Sequence, residues 1–174
     1  MNVFFLHRDP NVSAQAMTNK HIVKMVLETA QILSTAHHTL DEELAIDKDR
    51  LYKPTHKNHP SCVWVRASNE NYEWLYSHFL ALAIEYANRY GKLHKSYLQL
   101  FETLHNLPHN IPRGDFTQPP QAMPDIYKDY DSVQAYRRYY LNEKIKNDND
   151  LTRFVEVLSK NKENKNVVSF QLQW

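Results

Sequence analysis

The chain has 174 residues, 42% of them hydrophobic, and a net charge of +1 with histidine neutral. That length suits one domain with a real core, and near-neutrality removes any global positive field that would by itself demand a nucleic-acid partner, although a local basic groove fits inside a balanced total. Two glycines, Gly91 and Gly114, are too few for glycine-rich phosphate loops or many tight hairpins, and the lone Cys62 excludes an internal disulfide.

Residues 2–7, "NVFFLH", read as a short strand or extended segment that stops at Asp9-Pro10. Its apolar stretch is too short for a signal peptide. A helix is expected from about Thr18 to His38, with Thr18 or Asn19 as N-cap. Residues 39–60 are charged and end in prolines, which predicts a loop with at most a helical turn at 41–46. Residues 60–90 are strongly helical, as one helix or as two broken near Ser68-Asn69, and Gly91 is the natural stop. A further helix is expected over 93–107. A long proline-rich loop over 107–124 is of a length that often serves as a lid or binding element. Asp131 or Ser132 starts a helix running to about Lys146, and another covers about 151–160 before a polar tail. The expectation is a mainly α, single compact helical domain over 1–174 with a short N-terminal strand or extended segment. Its core lies within about 1–146, and a C-terminal helix and tail occupy 147–174. No run reaches the ~18–20 apolar residues of a membrane span, so the expected setting is a reducing cytoplasm.

The segment "NKHIVKMVLETAQ", residues 19–31, carries the most chemistry. On an ideal helix His21, Lys24, Glu28, Gln31 and Thr35 share an arc of about 80°. Ile22, Val23, Met25, Val26, Leu27, Ala30, Ile32, Leu33 and Ala36 cover most of the remaining circumference. The pattern is a narrow polar stripe on a largely buried rod, unlike the broad wet face of a surface helix. A half-buried Lys–Glu pair on such a stripe suits acid–base chemistry, because burial and mutual charge shift both groups. The competing reading is a helix at the domain edge whose stripe simply meets water.

Three other clusters follow. "THKNHP", 55–60, places His56, Lys57 and His59 before a proline-started helix, whose free N–H groups suit phosphate. His56 and His59 with His37 and His38 are the ingredients of a zinc site, but a diagnostic spacing such as His-Glu-x-x-His is absent, and no metal or cofactor is expected. "WVRASNENY", 64–72, offers Arg66 as a phosphate fork and Asn69 beside it. Arg89 and Lys92 flank Gly91 as nucleic-acid backbone contacts or as ordinary compensation of a helix end. "AYRRYY", 135–140, reads as aromatic core with surface arginines.

The order of these pieces resembles the phage-type pyrimidine-dimer DNA glycosylases with AP-lyase activity, the endonuclease V type, and their phage and bacterial relatives. The likeness runs through the N-terminal segment, "NKHIVKMVLETAQIL", "KNHP" and "EYANRYG", about residues 1–92, and more loosely 119–140. It implies a compact helical fold, a phage-encoded protein of the host cytoplasm, and DNA as partner, or another nucleic acid or nucleotide. It also implies an α-amine at the chain start that attacks the sugar C1′, and a catalytic glutamate on the first helix. Matched through His21, that glutamate is Glu28. Met1 then carries the amine, with Lys24 as a substitute; His21, Gln31, His56, Lys57, His59, Arg66, Asn69, Arg89 and Lys92 line the pocket or grip nucleic acid. The chain departs from the family where Asn2 replaces a small second residue, where five extra residues precede His21, and where Gln31 replaces an arginine. The expected activity is cleavage of the N-glycosidic bond of a damaged or modified base, with AP-lyase activity as an extension. The alternatives are a non-catalytic module that binds nucleic acid or a host protein, and a histidine-dependent metal hydrolase.

Overall fold

The computed structural model describes residues 1–41 and 49–161. Among these residues it contains seven α-helices and no strand: α1 Pro10–Gln15, α2 Asn19–Leu40, α3 Pro60–Val65, α4 Asn69–Tyr90, α5 Lys95–His105, α6 Ser132–Glu143 and α7 Asp148–Lys160. A single 3-10 turn, Asp125–Tyr127, precedes α6. None of the helices is long and apolar enough to cross a membrane. The turn expected at 41–46 and the polar tail lie largely outside the described residues.

The helix starts follow local chemistry. Thr18 Oγ1 accepts from the His21 N–H, Ser68 Oγ from Asn71, Asp131 Oδ1 from Val133 and Asn147 Oδ1 from Asp150, each satisfying a donor that has no partner within its own helix. Ser68 therefore settles the choice over 60–90 in favour of two helices. Gly91 closes α4 at φ 66°, a left-handed conformation that costs glycine nothing. α7 begins at Asp148, three residues earlier than expected, because Asn147 rather than the apolar Leu151 marks its start.

The sequence reading missed α1. Asp9-Pro10 ends an extended segment in the sequence pattern, yet Asp9 accepts from the Asn11 N–H at 2.7 Å and Pro10 sits where no N–H is required, so the pair starts a helix. The N-terminal segment itself is extended and pairs with no strand. Phe5 and Leu6 are fully buried, and the Ser13 hydroxyl bridges the Phe4 carbonyl and the Leu6 N–H. Phe4 takes φ 50°, a conformation that costs a side-chain-bearing residue about 1 kcal/mol. The bend turns its ring onto His21, with centroids 4.6 Å apart and planes 21° from parallel.

α2 and α4, 22 residues each, form the central pair, and α1, α3 and α5 pack against them. Ile22, Met25 and Leu33 from α2 meet Tyr72, Leu75 and Phe79 from α4 in a core that Tyr136 and Tyr140 of α6 complete. α2 is less enclosed than its pattern suggests: Val23 and Leu27 are 42% and 39% exposed and widen the open face beside Lys24 and Glu28.

The long loop after α5 is a strap. Asn69 Oδ1 accepts from the Gly114 N–H, Glu70 Oε2 from Phe116 and Asn71 Oδ1 from Thr117, while Trp64 Nε1 donates to the Thr117 carbonyl. These bonds lash the loop to the α3–α4 junction.

Candidate active site

Glu28 lies mid-way along α2. Its carboxylate accepts from Lys24 Nζ at 2.9 Å, one turn earlier, and its side chain is 14% exposed against 61% for the lysine. The expected half-buried pair is thus one sheltered carboxylate with a wet ammonium at its lip. Gln31, half-buried, continues the same face one turn on.

His21 closes one side of this face. Besides its stack on Phe4, its Nδ1 shares a 2.7 Å hydrogen bond with the Tyr140 hydroxyl, which in turn accepts from the Thr18 N–H. Burial first, then Lys144 and Lys24, pull the imidazole pKa down to about 4, against a smaller opposing pull from Glu28. At neutral pH His21 is an uncharged wall of the site and no phosphate-gripping cation.

The histidine turn is tied to the same helix. Thr35 on α2 anchors it: its Oγ1 accepts from the Thr55 N–H at 3.2 Å, and Ser34 Oγ accepts from Tyr52. His56 adopts φ 49°, and the turn shuts with a 2.7 Å bond from the His59 N–H to the His56 carbonyl. His59 caps α3 by accepting the Ser61 N–H on Nδ1 at 3.1 Å. Burial lowers the His59 pKa, helped by the Met1 amine and by His56, while Glu28 raises it. Glu28 therefore acts electrostatically on both His21 and His59, and the Met1 amine acts on His59 and on Cys62. Met1 is held by its side chain, whose sulfur is 3.8 Å from Cys62 Sγ, and by Asn2, which donates to the Ala122 carbonyl and accepts from Val3.

Charge thus links Met1, Glu28, His21, His56 and His59, Lys24 pairs with Glu28, and Lys57 is exposed on the turn. Other expected contacts have different employment. Arg66 Nη1 donates to the carbonyls of Lys57 at 2.6 Å and Cys62 at 2.9 Å, so it braces the turn from within. Asn69 is tied to the strap, where its Oδ1 and backbone N–H meet Gly114 and Pro112. Arg89 is engaged within the fold: all five guanidinium N–H groups meet Glu85, Met17, Asn19 and Gln15. Lys92 is exposed beyond the Gly91 stop. At the start of α3 Pro60 has no N–H, the Ser61 N–H goes to His59 Nδ1 and the Val63 N–H to the His59 carbonyl.

Among the described residues no group of three or more His, Cys, Asp or Glu is placed to hold a metal ion. His37, one ingredient of the zinc alternative, is buried and shares a 2.8 Å hydrogen bond with the Tyr72 hydroxyl. An open groove of about 560 Å³ runs beside Pro60 along Gln118–Ala122 to Lys128 and Ser132, and another lies at Leu107–Asp115; neither is lined by Glu28.

Thr35 stands on the polar stripe and Thr55 in "THKNHP", so both carried a sequence signal, whereas nothing in the pattern marked Phe4 or, beyond its reading as core, Tyr140.

Comparison with curated proteins and with solved structures finds no match. A family model described as pyrimidine dimer DNA glycosylase matches residues 1–98, more than half of the chain and the whole of the Met1, Glu28 and His59 neighbourhood. The chain belongs to the pyrimidine dimer DNA glycosylase family, a family of DNA-repair enzymes whose partner is DNA.

Proposed function

We propose that this protein excises a damaged or modified base from DNA at Glu28 and then cuts the abasic strand as an AP lyase through the Met1 α-amine. What supports the reading is one sheltered carboxylate whose charge acts on both His21 and His59, with the Met1 amine acting on the same His59.

The chemistry suits those groups. As the C1′–N bond breaks, its electron pair leaves on the base and positive charge builds on the sugar, where a fixed carboxylate stabilises it. The amine lone pair bonds to C1′ and the nitrogen loses a proton, giving a Schiff base once the sugar ring opens. Removal of a C2′ proton then expels the 3′ phosphate, and Glu28 is the nearby group able to carry these protons. Lys24 is the second amine in reach.

Borohydride trapping on duplexes carrying a pyrimidine dimer, an oxidised pyrimidine, an alkylated purine or an abasic site tests this. Intact mass identifies the mature first residue, and peptide mapping identifies the trapped amine. A covalent adduct at Met1 is the expected result. Excision without any adduct removes the lyase step and leaves Glu28 as a glycosylase group. No excision from any duplex overturns the reading in favour of a binding module.

A further inference from the structure

We infer that His59 is a catalytic contact: its ring, locked as the Nε2–H tautomer by the α3 cap, donates a hydrogen bond to the base as it departs. The inference rests on the glycosylase reading above and adds the group that receives the leaving base.

The cap fixes the tautomer. His59 Nδ1 accepts the Ser61 N–H at 3.1 Å, so its lone pair is committed and the proton of the neutral ring sits on Nε2, on the far side from the helix. The ring is also held in place. Its own N–H closes the turn onto His56 at 2.7 Å, Arg66 braces that turn through Lys57, and Thr35 ties its approach to α2. The charged and titratable groups around it are the Met1 amine, His56 and Glu28, with Cys62 on the helix it caps and Arg66 at that helix's far end. Burial and the cationic members of that set favour the neutral ring.

A neutral donor is what this neighbourhood needs. The departing base takes the pair of the C1′–N bond and becomes anionic, so an aimed N–H strengthens its bond as the reaction proceeds. The Nε2–H proton stays on the ring and no proton transfer is required. An imidazolium at the same place would pair with Glu28 and weaken its hold on the sugar cation. Carboxylate and imidazole thus divide the two charges that bond cleavage separates.

His59→Ser and His59→Asn test the assignment, because Ser and Asn are neutral, strong N-caps and lack a ring N–H at that reach. Single-turnover excision is measured on whichever duplex of the panel above the native protein cuts, together with thermal stability and duplex affinity. The expected result is a loss of about 10²-fold in rate with Tm and Kd held. The loss should shrink for bases that are better leaving groups, and the native rate should show no descending limb between pH 6 and 8. Excision within twofold of native in either variant overturns the inference and leaves His59 a cap only. A native rate that falls through pH 6–7, with that limb missing in the variants, overturns it in favour of an imidazolium acid. No excision by the native protein sinks the underlying reading, and this inference with it.

Discussion

Lys24 Nζ and Glu28 Oε1 stand 2.9 Å apart on successive turns of α2, yet the lysine side chain is 61% exposed and the glutamate 14%. The asymmetry separates their roles. The carboxylate is sheltered by the fold, whereas the ammonium reaches in from solvent and holds a conformation that water competes for.

Lys24→Met should therefore change stability by no more than ~0.5 kcal/mol, the usual range for an exposed i,i+4 pair. Borohydride adduct formation should persist, because Met1 supplies the amine. Loss of the adduct with excision retained would move the nucleophile to Lys24.

Arg66 should behave as a brace. Arg66→Ala should cut excision about tenfold or more by loosening the His56–His59 turn, since small displacements of positioned groups are costly. The dependence of DNA affinity on salt should stay as in the native protein. A phosphate ligand would instead reduce the slope of log K against log salt by ~0.9.

Arg89→Ala should mainly destabilise the fold. Its guanidinium joins the end of α1 to α4, and its side chain and that of Glu85 are 10% and 17% exposed. Removing one partner of a sheltered pair costs about 3 kcal/mol, readable by denaturant titration, with the salt slope of binding unchanged.

Acid should destabilise the fold before carboxylates titrate. Burial, its largest cause in each case, holds the pKa of His21, His37 and His78 down to about 4. Between about pH 4 and 6.5 the unfolded chain binds these protons and the folded chain does not, so stability rises with pH across that window. It is fully present above pH ~6.5 and is lost as pH falls towards 4. Thermal melts from pH 7 to 5 should show a falling Tm, with the His78→Asn variant less sensitive because it removes one of the three sites. A flat Tm over that window would contradict the assignment.

The helices and the polar stripe of α2 were legible because they are local. Caps such as Thr18, Ser68 and Asn147 act within three residues, and the 3.6-residue period sets Lys24, Glu28 and Gln31 on one face without reference to the rest of the chain. What the sequence hid is long-range. Nothing near Arg89 reports that Met17 and Gln15 will take its donors, and nothing near Arg66 reports that Lys57 will fold back onto it. The stack of Phe4 on His21 depends on a left-handed bend at a phenylalanine, which residue preference argues against. α1 was missed because Asp-Pro serves equally as the end of an extended segment and as the start of a helix, and only the Asn11 N–H that Asp9 captures distinguishes the two.

The most direct test of the central claim compares native protein and Glu28→Gln in single-turnover base excision on the duplex panel, with affinity for the same duplexes measured in parallel. Gln keeps the shape and removes the charge. The expected result is a loss of about 10²–10³-fold in rate with affinity kept within a few-fold. A variant that excises as fast as the native protein would contradict the claim that Glu28 stabilises the breaking glycosidic bond.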